Sequence, residues 1–148
     1  MTHLFCDKKL YIDKDIIQSM FIMAKNSIFE CGGILGSNKF NFITHFCQDT
    51  SGYYNRNLYI PSSIELGSVI KVWYDENISF IGIVHSHPED FFQLSYADIH
   101  YASLVLEKFH WLEFIYMPII LISPQESKLL VYKVSHCNKI EKVKWDII

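Results

Sequence analysis

Apolar residues recur at helical spacing through Ile16, Ile17, Met20, Phe21, Met23 and Ala24, and Asp13 or Asp15 stands where such a helix would start. Just before it, Leu10-Tyr11-Ile12 reads as a short strand. Glu30-Cys31-Gly32-Gly33-Ile34-Leu35-Gly36 begins a glycine-broken strand, where backbone can be approached closely. Asn41 to Cys47 reads as the next strand, and the polar and aromatic stretch from Asp49 to Asn57 as a loop. Ser62 and Glu65 have capping-box spacing ahead of a helix that runs to about Trp73 or Asp75. The apolar run Ser79 to Val84 predicts a buried strand with His85 and His87 at its C-terminal end. Ser95 and Asp98 repeat the capping-box spacing, before an apolar face of Ile99, Ala102, Leu106 and Phe109. Strands follow at Pro118 to Ser123 and Lys128 to Val134, and the alternation from Ile140 to Ile148 predicts a last one. Consecutive strands are commoner than strict βαβ alternation, so the class is mixed α and β.

The chain of 148 residues is long enough for one domain with its own core, without repeats or a linker to divide it. A formal net charge of −3 with no basic run speaks against nucleic acid. Nine Tyr, eleven Phe and three Trp read as residues that fill a core or line a groove rather than bind bases. Cys6, Cys31, Cys47 and Cys137 are scattered with no C-x-x-C pair, which points to free thiols rather than a cysteine metal site. No secretory signal is visible, and the apolar run Phe114 to Ile122 is about half of the roughly 20 residues a membrane span needs. A cytoplasmic protein without membrane contact is expected, as monomer or dimer.

The chemistry is concentrated in His85-Ser86-His87-Pro88, Ser95 and Asp98. Side chains two apart on a strand point the same way, so both imidazoles can face one metal ion. Asp98 could close the set if the intervening loop brings it back. Three protein ligands and one open position are the mark of a catalytic rather than a structural zinc. A bare H-x-H pair is more often a surface histidine beside a hydrogen-bonded one, and the full H-x-H-P-x6-S-x-x-D run is what shifts the balance. Hydrolysis also needs a base, and Glu30, at the start of an apolar segment, is the candidate. By itself Glu30 would be a solvated helix-end residue. Ser95 has an ordinary use as an N-cap, worth about 1 kcal/mol. Cys31 adjoins Glu30, yet nothing local activates it, so it reads as a small buried residue. His100 lies two residues beyond Asp98, about 200° round a helix, and should face away. Ser86 and Pro88 read as residues that shape the turn.

Glu30, His85-Ser86-His87-Pro88, six residues, Ser95 and Asp98 together resemble the JAMM (MPN+) motif of the Mov34/MPN/PAD-1 zinc metalloproteases: a distant glutamate, H-[ST]-H-P, then S-x-x-D. The resemblance covers nearly the whole chain in element order. It implies a single MPN/JAB-like domain over residues 1–148, with a mixed, curved sheet flanked by helices in a cytidine-deaminase-like layout. It implies one Zn²⁺ per chain held by His85, His87 and Asp98. Glu30 would be the general acid/base, and Ser95 would steady the attacking water or the oxyanion. It also implies hydrolysis of a peptide or isopeptide bond at the extended C-terminal tail of a ubiquitin-like protein. Glu89, Phe91 and Phe92 would border the groove for that tail, the alternative being an exposed loop with its two aromatics tucked inward.

The short spacer leaves no room for the insertions that grip ubiquitin in larger members. Small bacterial and archaeal members are the closer likeness, with ubiquitin-like or sulfur-carrier proteins as substrates and E1/E2-like conjugation proteins as associates. Two other readings stay open. One is a catalytically silent MPN scaffold, although such scaffolds typically lack motif ligands. The other is a non-hydrolytic two-His, one-carboxylate metal enzyme, which would need neither Glu30 nor Ser95. A deaminase would require H-x-E with P-C-x-x-C, and Pro124 is followed by Gln125.

Overall fold

The computed structural model describes residues 9–27, 30–55, 58–88 and 91–148. Strand β1 (Leu10–Ile12) leads into helix α1 (Lys14–Lys25), which Asp13 caps by accepting from the Asp15 N–H at 2.8 Å. Then come β2 (Gly32–Ser37), β3 (Phe42–Ile43), β4 (His45–Gln48), β5 (Tyr53–Asn55), β6 (Leu58–Ile60), α2 (Ser63–Asp75), β7 (Ser79–Pro88) and α3 (Tyr96–Lys108). Strands β8 (Phe114–Ile122), β9 (Lys128–Ser135), β10 (Lys139–Val143) and β11 (Trp145–Ile147) complete the chain.

Six strands form the main sheet in the order β10-β9-β8-β7-β2-β4. Only β7 and β8 run parallel, joined by α3; the other pairings are antiparallel. Helix α1 packs Ile17, Met20 and Met23 on one face, against Leu35, Val84, Ile120 and Val131. Helices α2 and α3 cover the other, setting Leu66, Ile70, Trp73, Ala102 and Leu106 against Ile34, Phe80, Ile83 and Met117. A small parallel sheet, β11-β1-β3, lies beside α1's core. The result is mixed α and β, as the hydrophobic pattern predicts. Among the described residues, no helix is long and apolar enough to cross a membrane.

Three expectations from local pattern need correction. Asn41 to Cys47 is two short strands rather than one. The chain changes sheet at Thr44, so β3 pairs with β1 while β4 pairs with β2. The terminal strand is likewise divided: β10 pairs with β9, and β11 crosses to β1. The supposed loop from Asp49 contains β5, which forms a hairpin with β6. Each correction concerns the choice of a distant partner, which periodicity along the chain does not carry.

One irregularity positions the site. Between β2 and β7 the register runs Leu35↔Gly82 and then Gly36↔Phe80, leaving Ile81 unopposed. A one-residue slip flips every later side chain to the opposite face. Phe80 belongs to the α2/α3 core and Ile81 packs against the α1 core; beyond the slip, Ile83 is back in the α2/α3 core and Val84 in the α1 core. Continued alternation sends His85 and His87 towards α3, and Ser86 towards α1.

Candidate metal centre

His85 and His87 lie in the C-terminal part of β7, where the apolar run places them, and both are buried. Their Nε2 atoms are 2.8 Å apart. Asp98 Oδ2 lies 3.1 Å from His85 Nε2 and 3.2 Å from His87 Nε2. Four-coordinate zinc with bonds of about 2.0–2.1 Å has donor–donor edges of about 3.3 Å, so this triangle is close to one face of such a site. Two imidazole nitrogens so close repel unless a proton or a cation lies between them. Among the described residues, His85, His87 and Asp98 form a group able to hold a metal ion.

Neighbouring groups aim the donors. His87 Nδ1 donates to the Phe91 carbonyl at 2.9 Å, which leaves Nε2 of the neutral ring as a bare lone pair pointing into the site. Asp98 is at the third position of α3 and completes a true capping box. Its N–H donates to Ser95 Oγ at 3.1 Å, and its Oδ2 accepts from the Ser95 N–H at 2.8 Å. The cap thus fixes the carboxylate oxygen that faces both histidines. Burial pushes Asp98 up, but hydrogen bonds and charge from His85 and His87 outweigh it and hold the carboxyl well below its usual range. For His87 burial favours the neutral ring, and the Asp98 carboxylate overcomes it and raises the pKa.

Glu30 precedes β2 rather than opening it, since the ladder starts with Gly32 opposite His85. A Cβ at position 32 would strike the Val84 carbonyl oxygen and the Tyr59 ring, so this approach of the strands requires glycine. Glu30 is half-buried, and burial raises its pKa to about 7; the His87 charge opposes the shift and Asp98 adds to it. A carboxyl so poised near neutrality can both take and give a proton. Cys31 is buried, and burial raises its thiol pKa, the opposite of an activated nucleophile.

Ser95 spends one oxygen lone pair as the N-cap and keeps its hydroxyl hydrogen to donate. Phe91 is exposed, with its ring edge-on to His87 at 6.0 Å between centroids, and Phe92 is exposed beside it, its carbonyl accepting from Tyr132 at 2.7 Å. The two aromatics are not tucked inward. Glu89, expected alongside them, lies outside the described residues. His100 is exposed and takes no part in the ligand group.

Two contributors were not anticipated. Asp49 is wholly buried and accepts from Tyr59 Oη and the Ser62 N–H, both at 2.8 Å, tying β6 and α2 together beside the site. Ser86 lies in the strand, not in a turn, and bonds to Cys31. The strict alternation His-Ser-His is a signal that Ser86 faces away from the two imidazoles.

No family model and no curated protein matches this chain. Its fold is similar to the solution structure of protein DSY2949 from Desulfitobacterium hafniense, a structural genomics target. The TM-score is 0.75 at 14% identity, over 94% of this chain and 92% of that one. At that identity the likeness is one of fold alone.

Proposed function

We propose that this chain is a zinc-dependent metallo-(iso)peptidase of JAMM type. It would cut a peptide or isopeptide bond at the C-terminal tail of a ubiquitin-like or sulfur-carrier protein. One observation carries the reading: two imidazole nitrogens and a carboxylate oxygen converge within 3.2 Å of one another, with Glu30 near enough to feel the charges of His87 and Asp98. Sites of two histidines and one carboxylate with an open position suit hydrolytic zinc. Bound there, zinc would polarise the scissile carbonyl and lower the pKa of a water to about 7.

The protein's own groups divide the remaining tasks. Glu30 accepts the proton of the attacking water and returns it to the leaving amine. The Ser95 hydroxyl donates to the oxygen that gains charge. His85 and His87 are held by the rigid centre of the sheet, so the site needs little reorganisation. Next to His85 and Asp98 lies a cleft of about 70 Å³, bordered by Tyr59, Pro61, Ala97 and Tyr101. The MPN-type layout belongs to the same proposal, and the mixed six-stranded sheet with helices on both faces supports it.

The test is hydrolysis of fusions carrying ubiquitin-like or sulfur-carrier tails, with and without a chelator, alongside metal analysis. Glu30→Gln should keep one zinc per chain while kcat falls by about 10²- to 10⁴-fold. Unchanged turnover would remove Glu30 as the base, and iron in place of zinc would favour a two-His, one-carboxylate oxygenase.

A further inference from the structure

We propose that Ser86, the serine between the two metal ligands, is the positioning residue for Glu30. The proposal rests on the reading of Glu30 as proton carrier. Ser86 is wholly buried and faces away from the two imidazoles, onto Cys31 of the α1 core. Its Oγ accepts from the Cys31 N–H at 3.0 Å, and its own N–H donates to the Cys31 carbonyl at 2.8 Å. Oγ also lies 3.5 Å from Cys31 Sγ.

The N–H that the hydroxyl holds belongs to the peptide joining Glu30 to Cys31. A peptide is planar, so pinning it restricts ψ of Glu30 and φ of Cys31 together. Glu30 itself gets no help from the β2 ladder, whose first partnered residue is Gly32. Ser86 therefore ties the base to the same rigid strand that carries both imidazoles. Base and metal ligands are referenced to one another through a single residue, 55 positions away from Cys31 in sequence. Alanine would fill much the same space but leave the Cys31 N–H without its partner. Threonine would keep the hydroxyl.

Amide exchange and kinetics test this together. In the metal-free wild type the Cys31 amide should be protected like the ladder amides of β2 and β7. In Ser86→Ala it should exchange at least about tenfold faster, while the ladder amides hold. With zinc bound, Ser86→Ala should keep its metal and its KM, while kcat drops about 10- to 100-fold, the scale expected for an ångström-sized misplacement. Ser86→Thr should restore both readouts. An unprotected Cys31 amide in the wild type overturns the proposal, and that measurement holds even if Ser86→Ala does not fold. Full kcat in zinc-loaded Ser86→Ala also overturns it. Absence of hydrolysis by the wild type would instead defeat the proposed function, so the two failures are distinct.

Discussion

The N-termini of α2 and α3 carry the same local signal, a serine followed three residues later by an acid: Ser62 with Glu65, and Ser95 with Asp98. Both serines cap, accepting from the N–H of the acid at 3.4 Å in α2 and 3.1 Å in α3. The acids differ. Asp98 returns to the Ser95 N–H and presents the same oxygen to two imidazoles. Glu65 does not return; the Ser62 N–H goes instead to buried Asp49, and Glu65 accepts from Thr50 at 3.0 Å. A capping box is therefore a way to aim a carboxylate, and what it aims at depends on the neighbouring strand. The acid of α3 faces β7 where His85 and His87 are buried on that side of the sheet.

The comparison breaks most visibly at the acids. Asp98→Ala should abolish zinc binding, taking occupancy from one per chain to near zero and turnover with it. Glu65→Ala, at the equivalent position of α2, should leave the metal content unchanged. Elemental analysis of the two purified variants decides this, and full zinc in Asp98→Ala would sink the ligand assignment.

A smaller effect concerns acidity. Glu30, raised to about 7 chiefly by burial, serves as a base only when deprotonated, so kcat/KM should fall as pH drops below that value. A cation in the site favours the carboxylate and moves this limb to lower pH. The acid limb should therefore lie at or below about pH 7 and steepen towards tenfold per unit. A profile that stays flat from pH 8 to pH 5 would contradict it.

The smallest effects separate the two serines. Ser62→Ala and Ser95→Ala should each cost about 1 kcal/mol of stability in denaturant titrations, as lost caps do. Only Ser95→Ala should also reduce kcat, by about tenfold or more if its hydroxyl donates to the developing charge. Equal kinetics in the two variants would reduce Ser95 to a cap.

Much of this was legible along the chain because it is local. Capping spacing, the helical stripes of α1 and α3, and the i, i+2 relation of His85 and His87 all depend on residues within a turn or a strand pair-step of each other. What local pattern leaves out depends on remote partners. Thr44 and Lys144 each lie where a single apolar run is split between two sheets, and the run looks continuous until the neighbouring strands are known. Ser86 reads as a turn residue along the chain because its partner, Cys31, comes from another strand's approach.

By itself the sequence determined that the imidazoles of His85 and His87 face one way, since backbone geometry alone enforces that alternation. It also determined that Asp98 would be turned back on the start of its own helix. Tertiary structure alone decided which face of the sheet the histidines occupy. The slip opposite Leu35 and Gly36 turned them towards α3 and Ser86 towards α1. Register is set by the pairing of two strands some 45 residues apart, and no local propensity encodes it.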